Sequence, residues 1–257
     1  MRGGSIKLVA AMLTILGAGL LISLPLGAAV AATSGSGPTE KPFTVVSFGD
    51  STTAARPGVD VYTDQLARRF PTVHFLNRGV PGNHTEDARV RFERDVLAAH
   101  PDLVIIQFGM NDSMIDVWKK PPATAPRVSL ADYELNLVRF VTGVRASGCA
   151  VILMTPNQRR WSPVLRNLYA KPPYDPDNEK GLLYLMEDYV NAVRRAAREL
   201  SVPLVDVYAL YDQFEITTGK SCSELMLDGH HPNTAGQKLV ADALEPEVAK
   251  ALRKGRK

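Results

Sequence analysis

The sequence predicts one α/β domain, a three-layer α/β/α sandwich built on a mainly parallel five-stranded sheet. Three observations predict it. Five short apolar runs recur along the chain, at Phe43–Phe48, Val73–Leu76, Leu103–Phe108, Ala150–Thr155 and Pro203–Val207. Segments with helical spacing lie between them, and such strand-helix alternation is the mark of a parallel sheet covered by helices. Four of the five runs are nearly continuous rather than alternating, as strands buried on both faces require.

Each helix carries its own local evidence. Thr85 is placed to cap a helix through about His100, with Glu86 and Asp87 in its first turn complementing the dipole. Over Ser129–Ser147, Tyr133, Leu137, Phe140, Val141 and Val144 share one face, with Ser129 as N-cap, Asp132 three residues on, and Gly148 as a stop. Over Glu179–Leu200, Leu182, Met186, Tyr189, Val193, Ala197 and Leu200 form one stripe. Asn233 is placed to cap a last helix, running from Thr234 to a break at Pro246.

The N-terminus stands apart from this pattern. Arg2 and Lys7 precede an apolar run from Leu8 to Leu26, followed by Ala29-Val30-Ala31-Ala32. That is the layout of a secretory signal peptide over 1–32, cleaved near Ala31 or Ala32. The same run is long enough to span a bilayer as an uncleaved anchor. A polar linker over 33–42 then leads into the domain at 43–257. Without Arg2 and Lys7 the 30 basic residues fall to 28 against 27 acidic ones. A balance so close to neutral, with no basic block interleaved with aromatics, argues against a nucleic-acid partner. A secreted monomer acting on a small-molecule or polysaccharide substrate, with no stable membrane association after cleavage, is expected. Two cysteines, Cys149 and Cys222, make no disulfide framework, and both are expected unpaired.

Right-handed crossovers bring the loops that follow parallel strands to one edge of the sheet, where ligands bind. Four polar, chemistry-bearing clusters fall there. Gly49-Asp50-Ser51-Thr52 follows the first run, Asn77-Arg78-Gly79-Val80-Pro81-Gly82 the second and Gly109-Met110-Asn111-Asp112 the third. Asp228-Gly229-His230-His231-Pro232-Asn233 precedes the last helix. Ester hydrolysis needs a hydroxyl nucleophile, a base to take its proton, a carboxylate to orient that base, and N–H donors facing the developing oxyanion. Imidazole, with an ordinary pKa near 6.5, suits the base's task near neutrality. Ser51, His231 and Asp228 have the right chemistry for the first three roles. The N–H groups of Ser51 and Gly82 with the side-chain amide of Asn111 suit the fourth. Alternatives stand beside each: Ser51 as a helix N-cap, Gly82 as a turn residue needing positive φ, Asn111 as a turn residue. Asp50 and Asp112 read as supports of their loops.

These blocks resemble those of the GDSL/SGNH hydrolase family in order and character, over Val45 to about Leu244. The resemblance implies a flavodoxin-like fold with strand order 2-1-3-4-5 and an esterase or lipase activity. By position it implies Ser51 as nucleophile, Asp228 and His231 as acid and base, and Ser51, Gly82 and Asn111 as the oxyanion hole. Thr52 departs from the leucine of the family name, a version resembling the family's polysaccharide acetylesterases. No cofactor is expected. A metal is not expected either, because no Cys-x-x-Cys or His-Glu-x-x-His occurs and His74, His84 and His100 are scattered. The Gly-x-Ser-x-Gly elbow of the other common esterase fold is missing from the sequence. Two loops on the functional edge, 118–127 and 157–178, are expected to shape the substrate site. From the second, Arg159, Trp161 and Tyr169 are the candidate substrate contacts, against the alternative of a solvated loop with its aromatics packed beneath it.

Overall fold

The computed structural model describes residues 41–255. The expected signal peptide over 1–32 and the linker residues 33–40 lie outside them. The described residues form a five-stranded, all-parallel sheet of order β2-β1-β3-β4-β5, with β1 at Phe43–Gly49, β2 at Val73–Gly79, β3 at Leu103–Gln107, β4 at Ala150–Met154 and β5 at Leu204–Val205. Seven helices accompany it: α1 (Tyr62–Arg69), α2 (Thr85–Asp95), α3 (Leu130–Ala146), α4 (Pro163–Tyr169), α5 (Met186–Glu199), α6 (Val207–Thr218) and α7 (Thr234–Gly255).

The continuous apolar strands are explained by two core layers that divide alternate residues of one strand. Val46 and Phe48 of β1 pack with Val104, Ile106, Val151 and Leu153 against α2, α3 and α5, through side chains such as Ala88, Phe140 and Val193. Val45 packs with Leu103, Ile105 and Ile152 against α1, α6 and α7, through Leu66, Val207 and Leu244. Both faces of the central strands are therefore dry, and no polar alternation survives in their sequence. The edge strand β2 has one covered flank, and its His74 and Arg78 are exposed.

Several element boundaries differ from expectation for identifiable reasons. His84, not Thr85, caps α2: its ring accepts from the Asp87 N–H, and the Asp87 carboxylate accepts from the His84 N–H. Thr85 instead donates both its N–H and its hydroxyl to Asp112, at 2.8 and 2.5 Å. The α2 helix stops at Asp95, and a separate 3-10 turn covers Leu97–Ala99. The Glu179–Leu200 stripe is a 3-10 turn at Gly181–Leu183 followed by α5. The fifth strand keeps two residues, because the Asp206 carboxylate accepts from Ala209 N–H and caps α6. Pro246 does not break the last helix, which continues to Gly255. Beyond it Val248 is fully buried, and Ala251 and Leu252 pack on the second core layer. That burial offsets the missing N–H and the ring's crowding of the preceding turn. Ser129 caps α3 as expected, accepting from Asp132 N–H at 3.1 Å, and Asn233 accepts from Gly236 N–H at 3.0 Å at the start of α7. Cys149 and Cys222 are free thiols.

Candidate active site

The loops at the carboxyl ends of the strands converge on a cavity of about 430 Å³ whose lining includes Ser51, Gly82, Asn111, Asp228, His230 and His231. Residues separated by as much as 180 positions meet here because the topology delivers every post-strand loop to one edge.

Ser51 Oγ lies 3.0 Å from His231 Nε2, and His231 Nδ1 lies 2.8 Å from Asp228 Oδ2. The tautomer follows from the carboxylate. Burial works to raise the Asp228 pKa, but the His231 ring and the backbone N–H groups of His231 and His230 hold it well below the usual carboxylate range. An ionised Asp228 only accepts, so the proton between them sits on Nδ1 and Nε2 is left to accept from the serine hydroxyl. The loop is shaped for this. Asp228 Oδ1 accepts the N–H groups of His230 and His231 at 3.1 and 2.8 Å, folding the four residues back on themselves. Gly229 turns at φ +77°, and a Cβ there would collide with the Arg160 carbonyl oxygen. From beneath, Arg160 N–H donates to Gly229 O at 2.8 Å and Asn157 Nδ2 donates to His230 O at 3.1 Å.

The donor side is equally defined. Among the described residues the N–H groups of Ser51 and Gly82 have no acceptor, and both residues border the cavity. Gly82 has φ +80° with open space around it, so glycine is needed for the backbone conformation as well as for access. The Asn111 amide gives one N–H to Asn83 O at 2.9 Å, leaving its second hydrogen uncommitted. Its carbonyl oxygen accepts from Arg127 Nη1 at 2.9 Å, which fixes the orientation of the amide group. Arg127 is itself gripped through Nε and Nη2 by Asp116, whose buried carboxyl is held down to about 2 by Arg127 and Lys119 against the opposing effect of burial.

Two further carboxylates support the loops. Asp50 is fully buried; its Oδ1 accepts from Thr52 N–H and Oγ1–H, both at 2.8 Å, while Oδ2 has no partner. Burial pushes its pKa up to about 6. Asp112 ties the Gly109 N–H to Thr85 across two loops, and burial raises its pKa as well. His230, buried and edge-on to His231 at 4.7 Å between centroids, is held neutral by burial and then by the nearby Arg159 charge.

Of the three expected substrate contacts, only Tyr169 borders the cavity, with its hydroxyl accepting from Trp118 Nε1 at 3.1 Å. Arg159 is 1% exposed and donates to Met110 O and to Ser113 Oγ, so it supports the Asn111 loop from within. Trp161 turns to a different groove beside Arg166, with its Nε1 donating to the Asn178 and Asp175 carbonyls. Sequence reasoning misses Arg127, Asn157 and Gln237, the last of which donates to Thr52 O at 2.8 Å. Only Arg127 carries a usable signal: an arginine at the end of a proline-rich loop that returns towards the Asn111 block. No group of three or more His, Cys, Asp or Glu side chains suited to a metal occurs among the described residues.

A family model described as the GDSL-like lipase/acylhydrolase family matches residues 47–239. The chain is 30% identical over 221 residues to the uncharacterized lipoprotein YqeF of Bacillus subtilis, spanning 78% of this chain and 87% of that protein. It is 29% identical over 180 residues to an acetylxylan esterase of Geobacillus stearothermophilus, spanning 68% of this chain and 72% of that protein. The crystal structure of a catalytic mutant of Axe2, an acetylxylan esterase from the same species, superposes with a TM-score of 0.63 at 26% identity, covering 80% of this chain and 94% of that one.

Proposed function

The chain belongs to the GDSL-like lipase/acylhydrolase family and is an ester hydrolase, and from that premise we propose a secreted serine esterase that removes short acyl groups, acetyl among them, from a carbohydrate alcohol. The observation that carries it is the continuous relay Ser51 Oγ, His231 Nε2, His231 Nδ1, Asp228 Oδ2, with links of 3.0 and 2.8 Å. Ser51 attacks the acyl carbon as His231 takes its proton. Ser51 N–H, Gly82 N–H and Asn111 Nδ2–H hold the tetrahedral oxyanion. The intermediate collapses as His231 protonates the leaving alcohol. Water, deprotonated by the same imidazole, then releases the acid from the acyl-serine and restores the hydroxyl. Arg127 acts through Asn111 by holding its amide turned towards the cavity.

Residues 1–32 serve as the export signal, 33–42 as the linker, and 43–257 as the hydrolase domain. The carbohydrate assignment draws on the similarity to an acetylxylan esterase and on Trp118, whose half-exposed indole donates to the cavity-lining Tyr169 and offers a flat face to a sugar ring. A longer acyl chain is the second reading. It is favoured by the wall that Met114, Val164, Leu165 and Leu168 present to the same cavity, which is apolar and larger than an acetyl group needs. A panel of acetyl to dodecanoyl esters of sugar and glycerol alcohols, with the released acid identified by mass, decides between them. The reading expects fastest turnover on acetylated saccharides and none with Ser51→Ala. Turnover that survives in Ser51→Ala overturns it.

A further inference from the structure

One charge at the catalytic cavity has no counterpart among the described residues. Arg56 stands five residues after Ser51, in the loop that leaves β1, and borders the cavity together with Pro81 and Gly82. It is half-buried, and its guanidinium makes no hydrogen bond or ion pair with any described residue. Its position is built rather than free: Arg56 pairs by an antiparallel bridge with Val59, whose N–H donates to Arg56 O at 3.1 Å across the turn at Pro57-Gly58.

None of the nearby carboxylates pairs with it. Asp60, in the same loop, is held by Arg68. Asp228, the acidic residue lining the cavity, gives Oδ2 to the His231 ring and Oδ1 to two backbone N–H groups. Asp116 balances the second cavity arginine, Arg127. Asp50 is sealed beneath the nucleophile loop with its carboxylate directed to Thr52. A guanidinium partly withdrawn from water and left unpaired beside a substrate cavity is poised for a ligand oxyanion, which it can grip through two parallel N–H bonds.

We propose that Arg56 makes this esterase selective for substrates carrying an anionic group, a carboxylate or a phosphate, beside the scissile ester. The proposal rests on the esterase reading and adds to it the charge of the substrate. It relocates the cationic recognition expected of loop 157–178, whose Arg159 is buried, to the loop that follows the nucleophile.

The test compares four purified proteins, the wild type, Arg56→Met, Arg56→Lys and Ser51→Ala, on three esters. These are phenyl acetate, 3-carboxyphenyl acetate with the anion on the alcohol, and monophenyl succinate with the anion on the acyl group. The readout is the kcat/KM of each anionic ester divided by that of phenyl acetate, compared between proteins. Dividing the ratios cancels the different leaving-group reactivities. Arg56→Met is expected to lower the ratio about tenfold or more for at least one anionic ester, as loss of a charge-assisted pair does. Arg56→Lys should retain part of it, and added salt should erode the wild-type ratio. The ester that responds identifies the side of the bond on which the anion sits. Ratios that stay within about twofold for both anionic esters overturn the proposal while leaving the esterase intact. Failure of the wild type to exceed Ser51→Ala on all three esters overturns both.

Discussion

Replacing Asp50 by asparagine removes a buried charge that the fold tolerates at a cost in stability. The side chain is fully buried beside Ser51, one carboxylate oxygen has no partner, and its pKa is pushed up to about 6 from an ordinary 3.8. A folded-state value above the unfolded one means that the native protein binds this proton more tightly. The resulting stability is therefore present below the unfolded value and is lost as pH rises through the interval from about 4 to 6. At about 1.4 kcal/mol per unit, a shift of roughly two units amounts to about 3 kcal/mol by pH 8. The asparagine side chain keeps an oxygen for the Thr52 N–H and hydroxyl but carries no charge at any pH. The amide hydrogens it introduces add a cost of their own, and that cost is the same at every pH. The decisive quantity is therefore the difference in unfolding free energy, Asp50→Asn minus wild type, from urea titrations at pH 4 to 8. It should climb by about 2.5 kcal/mol across that range, with most of the rise below pH 7. A difference that stays flat from pH 4 to 8 would refute the claim that burial opposes the ionisation of Asp50 in the native state.

Three other perturbations test separate parts of the site and fold. His231→Ala should remove nearly all turnover, while His230→Ala, which leaves the relay in place, should retain activity within about tenfold; steady-state rates on one ester rank them, and the reverse order would exchange their roles. Arg127→Met should lower kcat more than it raises KM, because it frees the Asn111 amide rather than removing a substrate contact. Its effect should stay below the roughly 10²–10³-fold loss typical of deleting an oxyanion donor. Combined with Asn111→Ala it should add little, and full additivity would show that Arg127 acts independently. Pro246→Ala restores a backbone donor inside α7 and should stabilise the domain by about 2 kcal/mol, the helix-interior penalty of proline less its restriction of the unfolded chain. An unchanged or lower melting temperature would show that the helix has already adapted to the ring.

The parts of this fold that can be read in the sequence are those governed by local rules. Strands such as Leu103–Gln107 announce themselves because burial on both faces leaves no polar alternation, and Ser129 and Asn233 are recognisable caps. The blocks around Ser51, Gly82, Asn111 and Asp228–His231 stand out because polar, glycine-containing turns follow apolar strands, and the parallel topology brings such turns together. What escapes depends on partners far away in the chain. Arg159 has the look of a surface residue until the Met110 carbonyl and the Ser113 hydroxyl are seen to receive its hydrogens inside the protein. Arg127 gains its meaning from the Asn111 carbonyl sixteen residues before it. The α6 helix, which the sequence pattern does not reveal, is capped by Asp206 directly after a two-residue strand and ends in Ile216, Thr217 and Thr218, residues with weak helix propensity. Pro246 misleads for the complementary reason: a local breaker is overruled by core packing on both sides of it.

The central claim is that the Ser51 hydroxyl is made nucleophilic by the imidazole that accepts from it. Labelling with a fluorophosphonate, followed by peptide mapping and repeated on His231→Ala, tests it most directly. The wild type should take up one label per chain, on Ser51, and the variant should react slower by orders of magnitude. Labelling at another residue, or an undiminished rate at Ser51 without His231, would contradict it.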